Sequence, residues 1–365
     1  MKPRSINRVA GLLALVGMTA SVALAQAPAQ PPDLQPLPEQ KINQAMADMG
    51  KYLFFDVRLS GDAALSCATC HDPKKGWTDG QVLGKGYPAS EYFRNTPTIL
   101  NATLKSRFHW DGRLDGTDAG TLARDMITEA VFLNMDSRLM QERLKQVPEY
   151  NEMWKKFRKD DINGMRVFNV LGEFMKTVTS RNVPFDKFKK GDEAALSAEQ
   201  KEGYAVFKGK ANCVSCHNGP VGSDGKLHKT GVPENPGVWS DPLRAITMLR
   251  HYSTSGMPNY MNARTDVGSY AITKDKGDMG KFSTPSLRDL KYTAPYMHNG
   301  MFATLDQVVD FYDRGGGTGS VLKPLSLSAT EKKALVAFLE SLSGDPVIVE
   351  PPKMPAYKVW AFGKN

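Results

Sequence analysis

The chain has 365 residues, 41% of them hydrophobic and 24% charged, with a formal net charge of +8. That is enough apolar material for two packed domains of ordinary size, and too much for a disordered chain. Lys and Arg are spread along the sequence with no basic run, so nucleic-acid binding has little support.

Lys2, Arg4 and Arg8 form a basic start, and Val9 to Val22 is an apolar run too short to span a bilayer comfortably. Ala23-Leu24-Ala25 then offers a small-x-small cleavage site. Residues 1–25 are therefore expected to be a secretory signal peptide cut near Ala25, with an uncleaved anchor as the alternative. The segment carries three basic residues and no acid, so its removal takes the charge from +8 to +5. After Gln26 no stretch is long and apolar enough to cross a membrane. Residues 26–40, rich in Pro, Ala and Gln, read as a disordered lead-in. Ile42, Met46, Met49 and Leu53 recur at helical spacing and predict a first helix from Ile42 to Phe55.

After a Ser60-Gly61-Asp62 turn comes Cys67-Ala68-Thr69-Cys70-His71, and the pattern recurs at Cys213-Val214-Ser215-Cys216-His217. Two thiols so spaced can each add to one vinyl group of a haem, while the adjacent imidazole reaches the iron. The two motifs consume all four cysteines. A redox disulfide or half of a zinc site also uses Cys-x-x-Cys. Neither needs the histidine that follows both times in a chain holding only six. Two covalently bound c-type haems are the expected cofactors, with zinc or disulfides as the alternatives. Their four propionates would bring the surface close to charge balance. Export agrees, because c-type haem attachment takes place outside the cytoplasm.

From Asp72 to Arg107 the density of Gly, Pro, Asn and Asp predicts loops wrapped over a cofactor. Ser137 is expected to cap a helix from Arg138 to Val147. A further helix from Met165 to Val178 should bury Val167, Val170, Leu171, Phe174 and Val178. Arg181 to Asp192, with Pro184 and Gly191, reads as a domain boundary. Capping boxes at Ser197 with Gln200 and at Ser328 with Glu331 start two more helices. No strand alternation is evident, and no repeat shows beyond the cysteine motif and its preceding helix. The expected division is 41–185 and 186–345, each a haem-bearing helical domain, with 346–365 as a tail across the surface.

With these motifs in place, the chain resembles the bacterial dihaem cytochrome c peroxidase family and, within it, the MauG-type branch. The matching pieces are Leu53-Phe54-Phe55-Asp56, Arg94-Asn95-Thr96-Pro97, Trp110-Asp111-Gly112-Arg113 and Pro184-Phe185-Asp186. The series ends with Thr284-Pro285-Ser286-Leu287-Arg288 and Thr293-Ala294-Pro295-Tyr296-Met297-His298-Asn299-Gly300, running on to Tyr312. The resemblance implies a mostly α fold of two cytochrome c-like haem domains packed together.

It also implies roles. Trp110 falls where the family places an indole relay between the haems. Asn95, Thr293 and Pro295 match positions that hold calcium, the last two through backbone carbonyls, and hard oxygen donors suit that ion. Tyr312 falls on the second haem's distal ligand, a methionine in main-branch peroxidases and a tyrosine in MauG-type enzymes. A phenolate is a hard anionic donor that lowers the haem potential relative to a thioether. Main-branch enzymes block the first haem with a histidine after the first motif. None occurs here between Asp72 and Phe108, which implies an open iron with His109 as the nearest candidate to close it. The family's glutamine ten residues after the relay tryptophan is missing, since position 120 is Gly. Glu129 lies near the family's acidic position and is the candidate acid–base group for peroxide. Ala211 stands where MauG has the tryptophan through which it oxidises its protein substrate. Residues 221–282 form a long insertion, expected either to dock a partner over the second haem or to cover that haem's edge.

The expectation is a periplasmic dihaem oxidoreductase that reduces hydrogen peroxide at the His71 haem. The haem of His217 and Tyr312 would take electrons from a small cytochrome c or cupredoxin. The alternatives are MauG-like oxidation of a protein substrate, or a dihaem electron-transfer cytochrome without peroxidase activity.

Overall fold

The computed structural model describes residues 32–358 apart from Thr117. The signal-peptide expectation, and residues 26–31 of the lead-in, lie outside the described residues. Among those described the protein is mostly helical, and no helix is long and apolar enough to cross a membrane.

Helix α1 spans Gln44–Phe55, two residues later than its apolar periodicity suggests, because Asn43 accepts the Met46 N–H and fixes the start. The first cysteine motif forms the short α2, Cys67–Cys70. Next come α3 (Ala119–Thr128), α4 (Ser137–Lys145) and α5 (Pro148–Lys155). The cap of α4 is Asp136, whose carboxylate accepts from the N–H groups of Arg138 and Leu139, so Ser137 is the first helical residue and not the cap. Helix α6, Gly164–Thr177, buries Val167, Val170, Leu171 and Phe174 as the periodicity predicts.

The expected boundary at 181–192 holds a helix of its own, α7 (Pro184–Lys189), whose Phe185 is fully buried. Then follow α8 (Ala198–Lys208), α9 (Gly237–Ser240), α10 (Pro242–Thr254) and α11 (Tyr270–Thr273). The chain closes with α12 (Leu305–Asp313) and α13 (Ala329–Ser341). Both expected capping boxes are formed, at Ser197 with Gln200 and at Ser328 with Glu331. Strands are vestigial: β1 (Arg107–Phe108) pairs with β2 (Leu114–Asp115), and β3 (Leu227–His228) with β4 (Phe282–Ser283).

Three apolar clusters organise the packing. The first gathers α1 and α3 to α6 around Met49, Phe54, Trp77 and Phe174. The second gathers α7, α8, α12 and α13 around Phe185, Tyr204, Phe207 and Phe338. The third joins Leu83 and Phe93 to Met248, Tyr252 and Val267. The tail returns to the first cluster, where Trp77 Nε1 donates to Val347 O at 2.7 Å.

The lead-in expectation is corrected for residues 32–40. Leu34 is fully buried in the second cluster and bridges to Gly219, while Asp33 accepts from the Tyr204 hydroxyl at 2.6 Å. Arg288 donates to Gln35 O at 2.6 Å and to Asp186 at 2.7 Å. A low-complexity composition here conceals one apolar anchor and a set of backbone partners supplied from far along the chain.

Each large cluster contains a helix crossing closed by a glycine. A Cβ on Gly50 of α1 would stand 2.4 Å from Val170 O of α6, and one on Gly203 of α8 would stand 1.9 Å from Ala334 O of α13. No real side-chain carbon sits so close to a carbonyl oxygen, so the helices must part. Gly50→Ala and Gly203→Ala are each expected to cost about 1–3 kcal/mol by overpacking, despite alanine's better helix propensity. Urea unfolding of the two variants checks this, and wild-type stability in either would contradict the close crossing.

Candidate active site

The two cysteine motifs fold into matching turns. The His71 N–H donates to Cys67 O at 2.9 Å, and the His217 N–H to Cys213 O at 2.8 Å. His71 Nδ1 lies 3.0 Å from Trp77 O, and His217 Nδ1 lies 2.9 Å from Gly222 O. A carbonyl only accepts, so Nδ1 carries the hydrogen in both rings and each Nε2 keeps its lone pair. Burial lowers the pKa of both imidazoles, favouring the neutral form that can ligate a metal.

The carbonyls that orient the rings are held in turn. Thr98 Oγ1 donates to Gly76 O at 2.6 Å and accepts from the Leu100 N–H. Ser286 Oγ donates to Val221 O at 2.9 Å and accepts from the Arg288 N–H. In each half one hydroxyl fixes the peptide just before the one that fixes the histidine, and such outer contacts set ligand orientation. Thr98 and Ser286 were missed in the sequence. The signal was Thr96-Pro97-Thr98-Ile99 matching Thr284-Pro285-Ser286-Leu287, a short repeat hidden by the insertion before its second copy.

Cys67, Cys70 and His71 open on a cleft of about 1280 Å³, its open mouth included, with Phe54, Ile99, Phe108, Ile127, Leu171 and Met175 among its walls. Burial and the neighbouring Cys70 push the Cys67 thiol up to about 12, so these sulfurs are poor thiolate donors to a metal. Lys105 lines the same cleft with no acidic partner among the described residues, and burial alone lowers its amine to about 8. A large apolar slot with two neutral thiols, an imidazole lone pair and an uncompensated cation fits a haem with its propionates. It does not fit zinc, which takes thiolates where burial holds the Cys67 thiol neutral.

At the second motif, burial and then the facing Cys213 and Cys216 sulfurs raise the phenol pKa of Tyr312 on α12. Tyr312 is thus an electrostatic neighbour of the second cysteine pair. Cys216, Asp224 and His228 come within ligand distance of one another. Within that group His228 Nε2 and Asp224 pair at 2.8 Å.

Trp110 lines the first cleft and is clamped from both sides. Its Nε1 donates to Asn95 O at 2.9 Å, and its carbonyl accepts the Ser283 N–H at 2.8 Å. Thr284, next to Ser283, accepts from Ser223 Oγ at 2.7 Å, one residue from the Gly222 carbonyl that holds His217. Arg94 is almost fully buried and bridges two carboxylates, Asp111 at 2.6 Å and Asp266 at 2.6 and 2.8 Å. Burial pushes the Asp111 carboxyl up, but Arg94 and then Arg113 outweigh it and hold it well below the usual range.

Asn95 is drawn to the 292–300 loop by its N–H on His298 O at 2.8 Å, while its Nδ2 donates to Gln81 O at 2.9 Å, leaving Oδ1 as the acceptor. The loop carries Thr293 and Pro295. Glu129 caps α3 and lines a second, polar cleft with Tyr92, Arg113, Asp125, Arg250 and His251, and is absent from the walls around Cys67 and His71. The insertion is also corrected. Its body, 238–271, packs on the loop after the first motif, where Arg244 donates to Gly84 O at 2.8 Å and pairs with Glu91 at 2.9 Å. It therefore roofs the first half, since Leu83 and Phe93 offer the apolar surface its helices need.

A sequence model of the di-haem cytochrome c peroxidase family matches residues 44–194. A cytochrome-c peroxidase of Denitromonas iodatirespirans, IdrP2, is 63% identical over 99% of this chain and 98% of its own. The methylamine utilization protein MauG of Methylorubrum extorquens is 35% identical over 89% of this chain and 84% of its own. Among solved structures, a MauG-like protein associated with microbial copper homeostasis superposes with a TM-score of 0.70 at 25% identity, covering 89% of this chain and 97% of that one.

Removing Arg94 would leave the buried Asp266 without its cation and Asp111 with Arg113 as its remaining guanidinium. Arg94→Met is expected to cost about 3–5 kcal/mol at neutral pH, the usual penalty for breaking a buried pair. Asp111 and Asp266 have lowered pKa values, so their contribution is present above the ordinary carboxylate range and is lost as pH falls below it. The variant should therefore lose less stability than wild type on acidification. Unfolding curves at neutral and acid pH check both parts.

Proposed function

This chain belongs to the di-haem cytochrome c peroxidase family, and on that premise we propose that it is a periplasmic enzyme reducing hydrogen peroxide with electrons from a small redox protein. It is a peroxidase-type oxidoreductase, and its family implies two c-type haems. The observation that carries the reading is the pair of histidines whose Nδ1 atoms are tied to backbone carbonyls beside Cys-x-x-Cys turns, one of them opening on an apolar cleft.

Cys67 and Cys70 would hold the first haem, with His71 Nε2 on its iron. Cys213, Cys216, His217 and Tyr312 would hold the second. When bound, the haems supply the iron at which peroxide is reduced and a store for the electrons that reduce it. The chain's own residues do the rest. The apolar walls around His71 keep bulk water from the reacting oxygens, and Lys105 offers a countercharge to a propionate. Trp110 supplies an oxidisable π system against the first cleft, hydrogen-bonded through its carbonyl to the strand leading to Thr284. Asn95 Oδ1 and the carbonyls of Thr293 and Pro295 are the proposed calcium donors, a neutral hard-oxygen set. The electron donor is a small cytochrome c or a cupredoxin.

MauG-like oxidation of a protein substrate is the second reading, and Tyr312 in place of a methionine favours it. Against it stands Ala211, buried where that chemistry has its exit tryptophan.

The exported protein should carry two haems per chain by the pyridine haemochrome assay, and should consume peroxide when given reduced cytochrome c or cupredoxin. Fewer haems, or no consumption with either donor, would overturn the proposal. Tyr312→Phe should change the absorption of one haem without changing the haem count. An unchanged spectrum would remove Tyr312 from the iron.

A further inference from the structure

The cleft beside His71 needs a group to move protons during peroxide reduction, and Glu129 is not there. Apart from His71, one histidine lines that cleft: His109. It opens the turn between β1 and β2, with φ +61, a conformation that histidine tolerates better than most residues. The Gly112 N–H on His109 O at 3.1 Å holds the turn. His109 Nε2 is buried and lies 3.0 Å from Asp125 Oδ2, within ion-pair distance but without an aligned hydrogen bond. Asp125, on α3, also receives Arg113 Nη2 at 3.0 Å and lines the polar cleft on the other side. The imidazole and carboxylate thus stand between an apolar slot and a polar cleft of about 680 Å³.

We propose that His109 is the proton-transfer group of the peroxide cleft, that Asp125 is its positioning residue, and that protons enter through the polar cleft beside Asp125. This rests on the peroxidase reading above. The overall change is H2O2 + 2 H+ + 2 e− giving two waters, with both electrons from the redox partner. The imidazole takes the proton from one peroxide oxygen and delivers it to the other. The O–O bond then breaks with loss of one water, and the two electrons and two further protons release the second. An imidazole suits both directions of transfer because it exchanges protons near neutral pH.

The surroundings bias it toward the base form. Burial lowers the His109 pKa, Arg113 acts in the same sense, and Asp125 and Asp111 oppose them. Tyr92, Lys105, Lys85 and Arg94 also line this cleft; burial raises the Tyr92 phenol and lowers the Lys105 amine to about 8, which leaves it a cation at neutral pH. Lys105 is also the cation left for a propionate, which leaves His109 for the proton.

The test uses the oxidised holoprotein and cyanide, which must lose its proton to bind iron and so reports a nearby base without turnover. His109→Asn keeps a residue at ease with positive φ and removes the base. It should weaken cyanide binding at least about tenfold and slow peroxide consumption about 10²- to 10⁴-fold, the usual range for a lost acid–base group. Asp125→Asn should have a smaller effect and move the pH midpoint of cyanide affinity downward, because its carboxylate favours the protonated ring. Unchanged cyanide affinity in His109→Asn would overturn the proposal, as would the same losses appearing in Glu129→Gln instead. So would a wild-type low-spin spectrum that opens in His109→Asn, since the ring would then be an iron ligand. A haem count below two, or wild type inert toward peroxide, would instead mark failure of the underlying peroxidase reading.

Discussion

One buried guanidinium sets the geometry on which the first half depends. Arg94 joins the loop after the first cysteine motif to Asp111 beside the indole and to Asp266 in the insertion. A planar fork satisfied by two carboxylates cannot rotate without leaving a charge unpaired in a low-dielectric interior, so three segments distant in sequence share one rigid frame. Trp110 inherits that rigidity: its neighbour Asp111 is pinned by Arg94, and its own ring nitrogen and carbonyl are hydrogen-bonded. Electron transfer and proton handling both tolerate little positional slack, so a stiff frame serves each.

The halves are also related more deeply than their cysteines suggest. After each Thr-Pro pair the chain enters a left-handed residue, Asn101 at φ +56 and Asp289 at φ +59, and then a short 3-10 turn. These equivalent positions meet each other, Asn101 Nδ2 lying 3.3 Å from Asp289 Oδ2 with the Ser180 hydroxyl bonded to both. Burial raises the Asp289 carboxyl, and those hydroxyl and amide donors are what make it tolerable there. The two copies of this motif thus meet each other, with Ser180 bonded to both.

Legibility followed the range of the physics. Short-range signals held: α1, α6, α8 and α13 lie within a few residues of their expected bounds, because apolar spacing and capping boxes act locally. The histidines and their turns were visible because covalent haem attachment demands contiguous residues. What escaped depended on distant partners. Helix α3 is an exception, since Asp118 caps its start by accepting the Gly120 N–H and its body packs on α6. Asp136 displaced Ser137 as a cap because a carboxylate could reach two N–H groups at once. Glu129 stands on the polar cleft because α3, which it caps, lies between it and Trp110.

The segment 32–40 has a consequence for how the molecule is assembled. Leu34 and Gln35 lie against Gly219 and Arg288, and Gln40 against Thr103 and Thr179. Synthesis delivers this strap before any of those partners exist, and loop-closure entropy delays contacts across such separations. It must stay undocked until the Gly219 turn and the Arg288 loop have formed, and it then ties both halves at once. The earliest residues of the described chain thus hold together segments made much later, from Thr103 to Arg288.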